Sequence, residues 1–273
     1  MRTLGVQVLL AFASLLGCGG DDTAETIAEA TPVCAPLELS LPDGSCVRPG
    51  VPPDGCADGF VHDGEYGCSP ILPEAPCPPG RIAVPGDTMC RPVMPCGAGK
   101  WGDIPVDGST EYVDAAYTGV ESDGSESRPW KTIGAAVAAA ASNAIVAVAR
   151  GSYVEDVAVS GKPVKLWGVC PDEVELVGTG VEDGALFIGA FASGSEVHGL
   201  AMRGAGLAVV HSGSEAVIFD RVWVHDAAWV GIYSDGQLGP TSFVMRGSLV
   251  ESNHEYGVLV IDGEALVETS SVR

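Results

Sequence analysis

Val197-His-Gly-Leu-Ala-Met202, Phe219-Asp-Arg-Val-Trp-Val224 and Met245-Arg-Gly-Ser-Leu-Val250 share one pattern: apolar, two others, apolar, one other, apolar, with Ser248 in the middle place of the last. The triads begin 22 and 26 residues apart. Working outward, each repeat holds a glycine that opens a second apolar run, at Gly206-Leu-Ala-Val, Gly231-Ile-Tyr and Gly257-Val-Leu-Val. A third run lies at Ala216-Val-Ile-Phe219, Ser242-Phe-Val-Met245 and Ala265-Leu-Val267. Three short β-rich runs per repeat, separated by turn residues, make one coil of a parallel β-solenoid, because each coil buries its apolar side only against its neighbours. The pattern predicts a mainly β chain, a right-handed parallel β-helix of about five coils over residues 101–273.

Composition agrees with a turn-rich β protein: 273 residues, 18% of them charged, with 37 glycines. The net charge of −22 argues against nucleic acid as a partner, since 14 Lys and Arg among 36 Asp and Glu form no basic stripe to neutralise phosphates.

Residues 1–17 carry a charge at Arg2 and an apolar run from Leu4 to Leu16, followed by Gly17-Cys18. This resembles a bacterial lipoprotein signal, in which the cysteine after the cleavage point receives the lipid. The run is too short to span a bilayer, which takes about 20 residues. Cys18 is thus the expected lipidation site, and residues 18–33, acidic and alanine-rich, are the expected disordered tether. The membrane becomes a partner through that lipid, and the expected location is the outer membrane or cell surface.

Nine cysteines less Cys18 leave eight, an even number suited to disulfides in an oxidising compartment. Residues 34–100 hold seven of them, six in the modules Cys34-x11-Cys46, Cys56-x11-Cys68 and Cys77-x12-Cys90. Each encloses a turn signal, Pro42-Asp-Gly44, His62-Asp-Gly64 or Pro85-Gly-Asp87, so each reads as a hairpin clipped by its own disulfide. Sequential pairing leaves Cys96 with Cys170, although eight cysteines allow 105 connectivities. A zinc site is disfavoured: there is no C-x-x-C, and His62 is the only histidine nearby.

The alanine-rich run from Trp130 to Ala141 predicts a helix with Ile133 and Val137 on one face, covering the open end of the first coil. Together with Tyr112-Val-Asp, Asp123-Gly-Ser, Arg128-Pro-Trp-Lys-Thr-Ile, Val146-Ala-Val and Gly151-Ser-Tyr-Val-Glu-Asp-Val, it resembles the N-terminal cap and first coil of the pectin-lyase-like superfamily. It is similar in particular to an uncharacterised bacterial surface lipoprotein group that opens with this signature. The resemblance covers residues 111–273. It implies a right-handed parallel β-helix, in a superfamily that includes polysaccharide lyases, glycosidases, epimerases and pectin methylesterases. Gly151-x-Tyr153-x-Glu155 is shared with the methylesterases, whose catalytic motifs are missing here; the simpler reading is a structural corner.

For chemistry, alignment of the triads puts Arg203, His225 and Glu251 in one outward column and Asp220 beside Arg246. A glycosidase needs two carboxyl groups about 5 to 9.5 Å apart, and this mixed column does not supply them. Asp226 with Glu251 and Arg203 is the nearest approach to a lyase cluster, and only that reading would call for a cofactor, calcium. The outward column Ala201, Trp223, Leu249 is unusually apolar; Trp223 is the candidate contact for a sugar face or a surface protein, unless a long turn, or Trp229 and Tyr256, covers it. The chain stops at Ser270-Ser-Val-Arg273, partway through another triad, which reads as truncation or as an end that another chain covers; truncation leaves room for a catalytic site in further coils. The expected role is a non-catalytic binding or structural module, for polysaccharide or another protein; the alternative is a carbohydrate-active enzyme or its remnant.

Overall fold

Each triad is a corner of the coil. Its first apolar residue ends one strand facing inward, its third position turns the chain, and its last residue faces inward from the next strand. The turning residues Gly199, Arg221, Gly247 and Thr269 have φ of +61°, +52°, +53° and +47°. That left-handed conformation costs a residue with a Cβ about 1–2 kcal/mol, which explains glycine at two of the four corners. Arg221 is tied back by its guanidinium to Asp220 at 2.8 Å.

The computed structural model describes residues 34–182 and 184–273. The signal peptide at 1–17, lipidation at Cys18 and the tether at 18–33 lie outside the described residues. Three parallel sheets run along the solenoid. The first face stacks Glu111–Val113, Ile145–Val148, Lys165–Gly168, Glu196–His198, Val217–Asp220, Ser242–Arg246 and Glu264–Glu268. The second stacks Gly151–Val154, Val174–Val177, Ala201–Arg203, Trp223–His225, Leu249–Glu251 and Ser271–Val272. The third stacks Val157–Val159, Gly184–Ile188, Leu207–Ser212, Val230–Asp235 and Tyr256–Ile261. The second face thus has six strands, one coil more than the spacing suggests, because Ser271–Val272 completes a pairing with Leu249 and Val250.

Inward columns form the core. Val146, Leu166, Val197, Phe219 and Met245 are consecutive in register on the first face. Tyr153, Leu176, Met202, Val224 and Val250 do the same on the second. Ser248 holds its corner by donating to the Arg246 carbonyl at 2.7 Å and accepting from the Val222 amide at 3.1 Å, so a hydroxyl replaces an apolar side chain without an unpaired group.

Among the described residues the one α-helix is Ile133–Ala139, shorter at both ends than the alanine run. Trp130 is drawn off by backbone bonds, its amide donating to the Tyr112 carbonyl and its carbonyl accepting from the Asp114 amide, Thr132 caps the helix by accepting from the Ala135 amide, and Ala140 leaves helical geometry. Ile133, Ala136 and Val137 join the solenoid core. Two side chains from the first coil hold the helix ends: Glu155 accepts from the Ile133 and Gly134 amides at 2.7 and 2.9 Å, and Lys162 donates to the Ala138 and Ala140 carbonyls. Tyr153 is buried and donates to the Ala149 carbonyl at 2.8 Å, and burial pushes its phenol up. The Gly151, Tyr153, Glu155 corner is therefore a structural joint. No helix among the described residues is long and apolar enough to cross a membrane.

Disulfides join Cys34 to Cys46, Cys56 to Cys68, Cys77 to Cys90 and Cys96 to Cys170. The first three clip antiparallel pairs: Leu39–Ser40 with Cys46–Val47, Phe60–His62 with Cys68–Pro70, and Arg81–Ile82 with Arg91–Pro92. The chain divides into compact units between Gly50 and Val51. The described part of the first is the Cys34–Cys46 hairpin, with Ser45 bonded to Asp43 across its turn. The second and third hairpins belong to the same unit as the coils, although composition changes only near residue 100.

Candidate functional site

The apolar outward column of the second face is covered by the third hairpin and its continuation, residues 77–96, which we call the strap. Ile82 and Val93 pack with Leu249, and Val84 and Trp223 flank them. Neither a long turn of the solenoid nor Trp229 and Tyr256 provides this cover. The Trp223 ring lies against Gly80, where a Cβ would sit 3.2 Å from the indole, and Gly80 also has φ of +74°. Only glycine satisfies both conditions. The column is apolar because it is an internal interface, which a reading of the repeats alone had no means of assigning to a segment more than a hundred residues upstream.

Glu251 is the centre of this joint. It is 4% exposed and accepts at one oxygen from the Gly80 amide at 2.7 Å and the Trp223 indole at 3.0 Å. Its other oxygen accepts from Arg273 at 2.6 and 2.9 Å. Arg273 in turn donates to the Pro78 and Arg81 carbonyls, and Arg81 pairs with Asp172 at 2.7 Å.

The sequence groups Asp226 and Arg203 with Glu251, whereas in the structure each has a different partner. Arg203 donates to Glu175 at 2.9 Å. Asp226, with φ of +49° and its carboxylate largely in solvent, bonds to His225 Nδ1 at 2.8 Å. His225 stacks on Trp223 with ring centroids 3.9 Å apart. Of the expected column, His225 and Glu251 are in-register neighbours, and Arg203 on the preceding strand turns to Glu175.

A second polar cluster lies outward on the first face. His198 is bonded at 3.1 Å to Asp220 and at 2.8 Å to Glu196, and stacks on Trp167 at 3.8 Å. Asp220 and Arg246 are in-register neighbours, yet their side chains go elsewhere: Asp220 to His198 and Arg221, Arg246 to Glu268 at 2.9 Å. Burial opposes ionisation of Asp220 and Glu196, but His198 with Arg221, and Lys165 with His198, outweigh it and hold both carboxyls below the ordinary range.

The strands of the third face are the glycine-opened runs of the sequence, but the outward stripe they build escaped the sequence reading. Phe187, Val210, Tyr233 and Leu259 follow one another in register, one per coil, and cluster with Leu207 and Val230 apart from the main core. Trp229 and Tyr256 beside them are 46% and 52% exposed. Polar groups edge the stripe. Asp235 accepts from Ser212 at 2.6 Å, its hydrogen bond to Tyr233 raises that phenol, and the Trp229 indole donates to Glu255. The signal was available in the alternation of each run, where one outward position per coil is apolar or aromatic.

Among the described residues, the grouping with metal-ligand spacing is Cys96, Cys170 and Glu173, and its two sulfurs form a disulfide. No curated protein and no solved structure matches the chain. A family model described as a protein of unknown function, DUF1565, matches residues 117–221, from the loop before the cap helix to the corner after Asp220. Fold and match agree: the chain is a parallel β-helix protein carrying a stretch similar to that family, which is associated with β-helix proteins.

Proposed function

We propose that this is a lipid-anchored bacterial surface protein of pectin-lyase-like type, whose β-helix is a non-catalytic binding module for polysaccharide. The observation that carries the reading is the contrast between two faces. On the second face, Trp223 and Glu251 are committed to holding the strap. On the third, an apolar and aromatic stripe faces outward, with Trp229 and Tyr256 exposed beside it and the Glu255 carboxylate at its edge. Rings present flat apolar surface to the C–H faces of sugars, and edge carboxylates accept from sugar hydroxyls. Repetition at the coil spacing of about 4.8 Å gives an extended surface suited to a chain and not to a single residue. The charge of −22 favours neutral or basic polysaccharide over polyuronate. The anchor rests on residues 1–18, with Cys18 as the lipidated residue and the outer membrane or cell surface as the location.

Purified protein spanning residues 19–273 is tested against neutral, basic and acidic polysaccharides for binding and for release of reducing or unsaturated ends, with and without calcium. Binding without product release, weakened at least tenfold by Trp229→Ala or Tyr233→Ala and unchanged by Trp223→Phe, is expected. The alternative, a carbohydrate-active enzyme, draws on the solvent-facing Asp226 carboxylate against His225. Product release abolished by Asp226→Asn would establish it and overturn the module. Loss of fatty-acid incorporation in Cys18→Ala cells tests the anchor.

A further inference from the structure

His225 is bonded on one side only. It is 6% exposed, and its Nε2 is buried with no hydrogen-bond partner among the described residues. Nδ1 is engaged by Asp226 at 2.8 Å, which fixes the proton of a neutral ring on Nδ1 and leaves a lone pair on Nε2. That lone pair faces Glu175 Oε1 at 3.6 Å. Two acceptors turned toward each other in a buried site are unfavourable, and a proton on Nε2 converts the contact into an ion pair between imidazolium and carboxylate. A metal ion is the poorer occupant, because Arg203 already donates to the same carboxylate.

The consequence reaches the strap. Trp223 stacks on the His225 ring and packs against Gly80, and its indole shares Glu251 Oε1 with the Gly80 amide. A charged imidazolium holds the indole more strongly than a neutral imidazole does, through the ring quadrupole. The charged groups facing the ring are Asp226 beside it, Glu175 two coils back and Glu251 in the next coil, with Arg203 and Arg273 each engaged with one of these glutamates. From the strap, Arg81 is engaged by Asp172.

We propose that His225 is a proton-operated latch for the strap: protonated, it bridges Asp226 and Glu175 and clamps Trp223 onto Gly80; deprotonated, it loosens the strap and makes the second face accessible. The sign is opposite to general acid destabilisation, since this contact tightens as pH falls. The latch is independent of any ligand on the third face.

The test is amide hydrogen exchange on the full chain with disulfides intact, following Gly80, Arg81 and Ile82 from about pH 5 to pH 8, the range in which imidazole ordinarily changes charge, with the intrinsic pH dependence of exchange divided out. Protection at Gly80 should fall about tenfold as pH rises across this range. His225→Gln and Glu175→Gln should each flatten the profile, and His198→Gln should leave it unchanged. A flat wild-type profile, or the same slope in Glu175→Gln, would overturn the latch. Glu175 is on the surface and part-exposed, so its variant keeps the test usable should His225→Gln fold poorly.

Discussion

His211 is the one histidine buried inside the coils. It is fully enclosed and bonded at 3.1 Å to Ser234, at 3.0 Å to the Ser214 carbonyl and at 3.1 Å to the Ser214 hydroxyl, with the edge of Phe243 against it. Burial, partly opposed by the Ser214 bond, lowers its pKa to about 4. The unfolded chain takes up a proton near pH 6.5 while the folded one stays neutral. Stability is therefore full above about pH 6.5 and falls by about 3 kcal/mol on acidification to about pH 4. Urea midpoints measured across this window should show that slope in the wild type and lose it in His211→Gln. Asp220 and Glu196, held below the ordinary carboxylate range, add a second loss as pH falls through and below that range. At Gly80, alanine must adopt a left-handed φ and press on the Trp223 ring. Gly80→Ala should lower strap protection at least tenfold, while coil amides distant from it exchange as in the wild type.

At the scale of elements, the cap helix is too short to persist alone, since isolated helices below about 12 residues are marginal in water. Its stability comes from its buried face and from the two long-range caps. Glu155→Ala leaves two amides without their carboxylate and should cost about 1–2 kcal/mol, seen as faster exchange of helix amides and a lower thermal midpoint. Glu251→Ala removes the acceptor for the strap, for Trp223 and for Arg273, a largely buried ion pair broken from one side. A loss of about 3 kcal/mol is expected from chemical denaturation. These elements also show what the sequence made legible. The triads, the capping helix and the hairpins follow from local periodicity and turn chemistry, and each is present. The helix ends, the strap over Trp223 and the partners of Arg203 and Asp226 depend on which distant segments meet, and no local spacing encodes that. The third-face stripe lay in plain view at Phe187, Val210, Tyr233 and Leu259, masked because attention to the triads favoured the corner between the first two faces.

For the whole molecule, neighbouring coils supply nearly all of each other's contacts, so unfolding can begin at either end and spread. The early coils are less regular in sequence than the late ones, because the second, from Lys165 to its in-register neighbour Glu196, carries the longest loops and breaks the spacing between Glu196, Ile218 and Val244. The Cys96–Cys170 bond opposes fraying at the N-terminal end. It closes 74 residues, for which loop-closure entropy predicts about 4 kcal/mol of stabilisation. The double variant Cys96→Ala, Cys170→Ala should lose about that much in denaturant titrations, with the loss concentrated in the helix and first coil by hydrogen exchange.

The same bond also decides how the molecule carries tension. A pull transmitted along the backbone from the N-terminal side reaches Cys96 and crosses directly to Cys170, entering the solenoid at its second coil. The cap helix and first coil hang in a covalent ring off the load path, and roughly 250 Å of chain contour cannot pay out while the bond is intact. Under such a load the solenoid would thus yield from its later coils inward and keep its N-terminal ring wound.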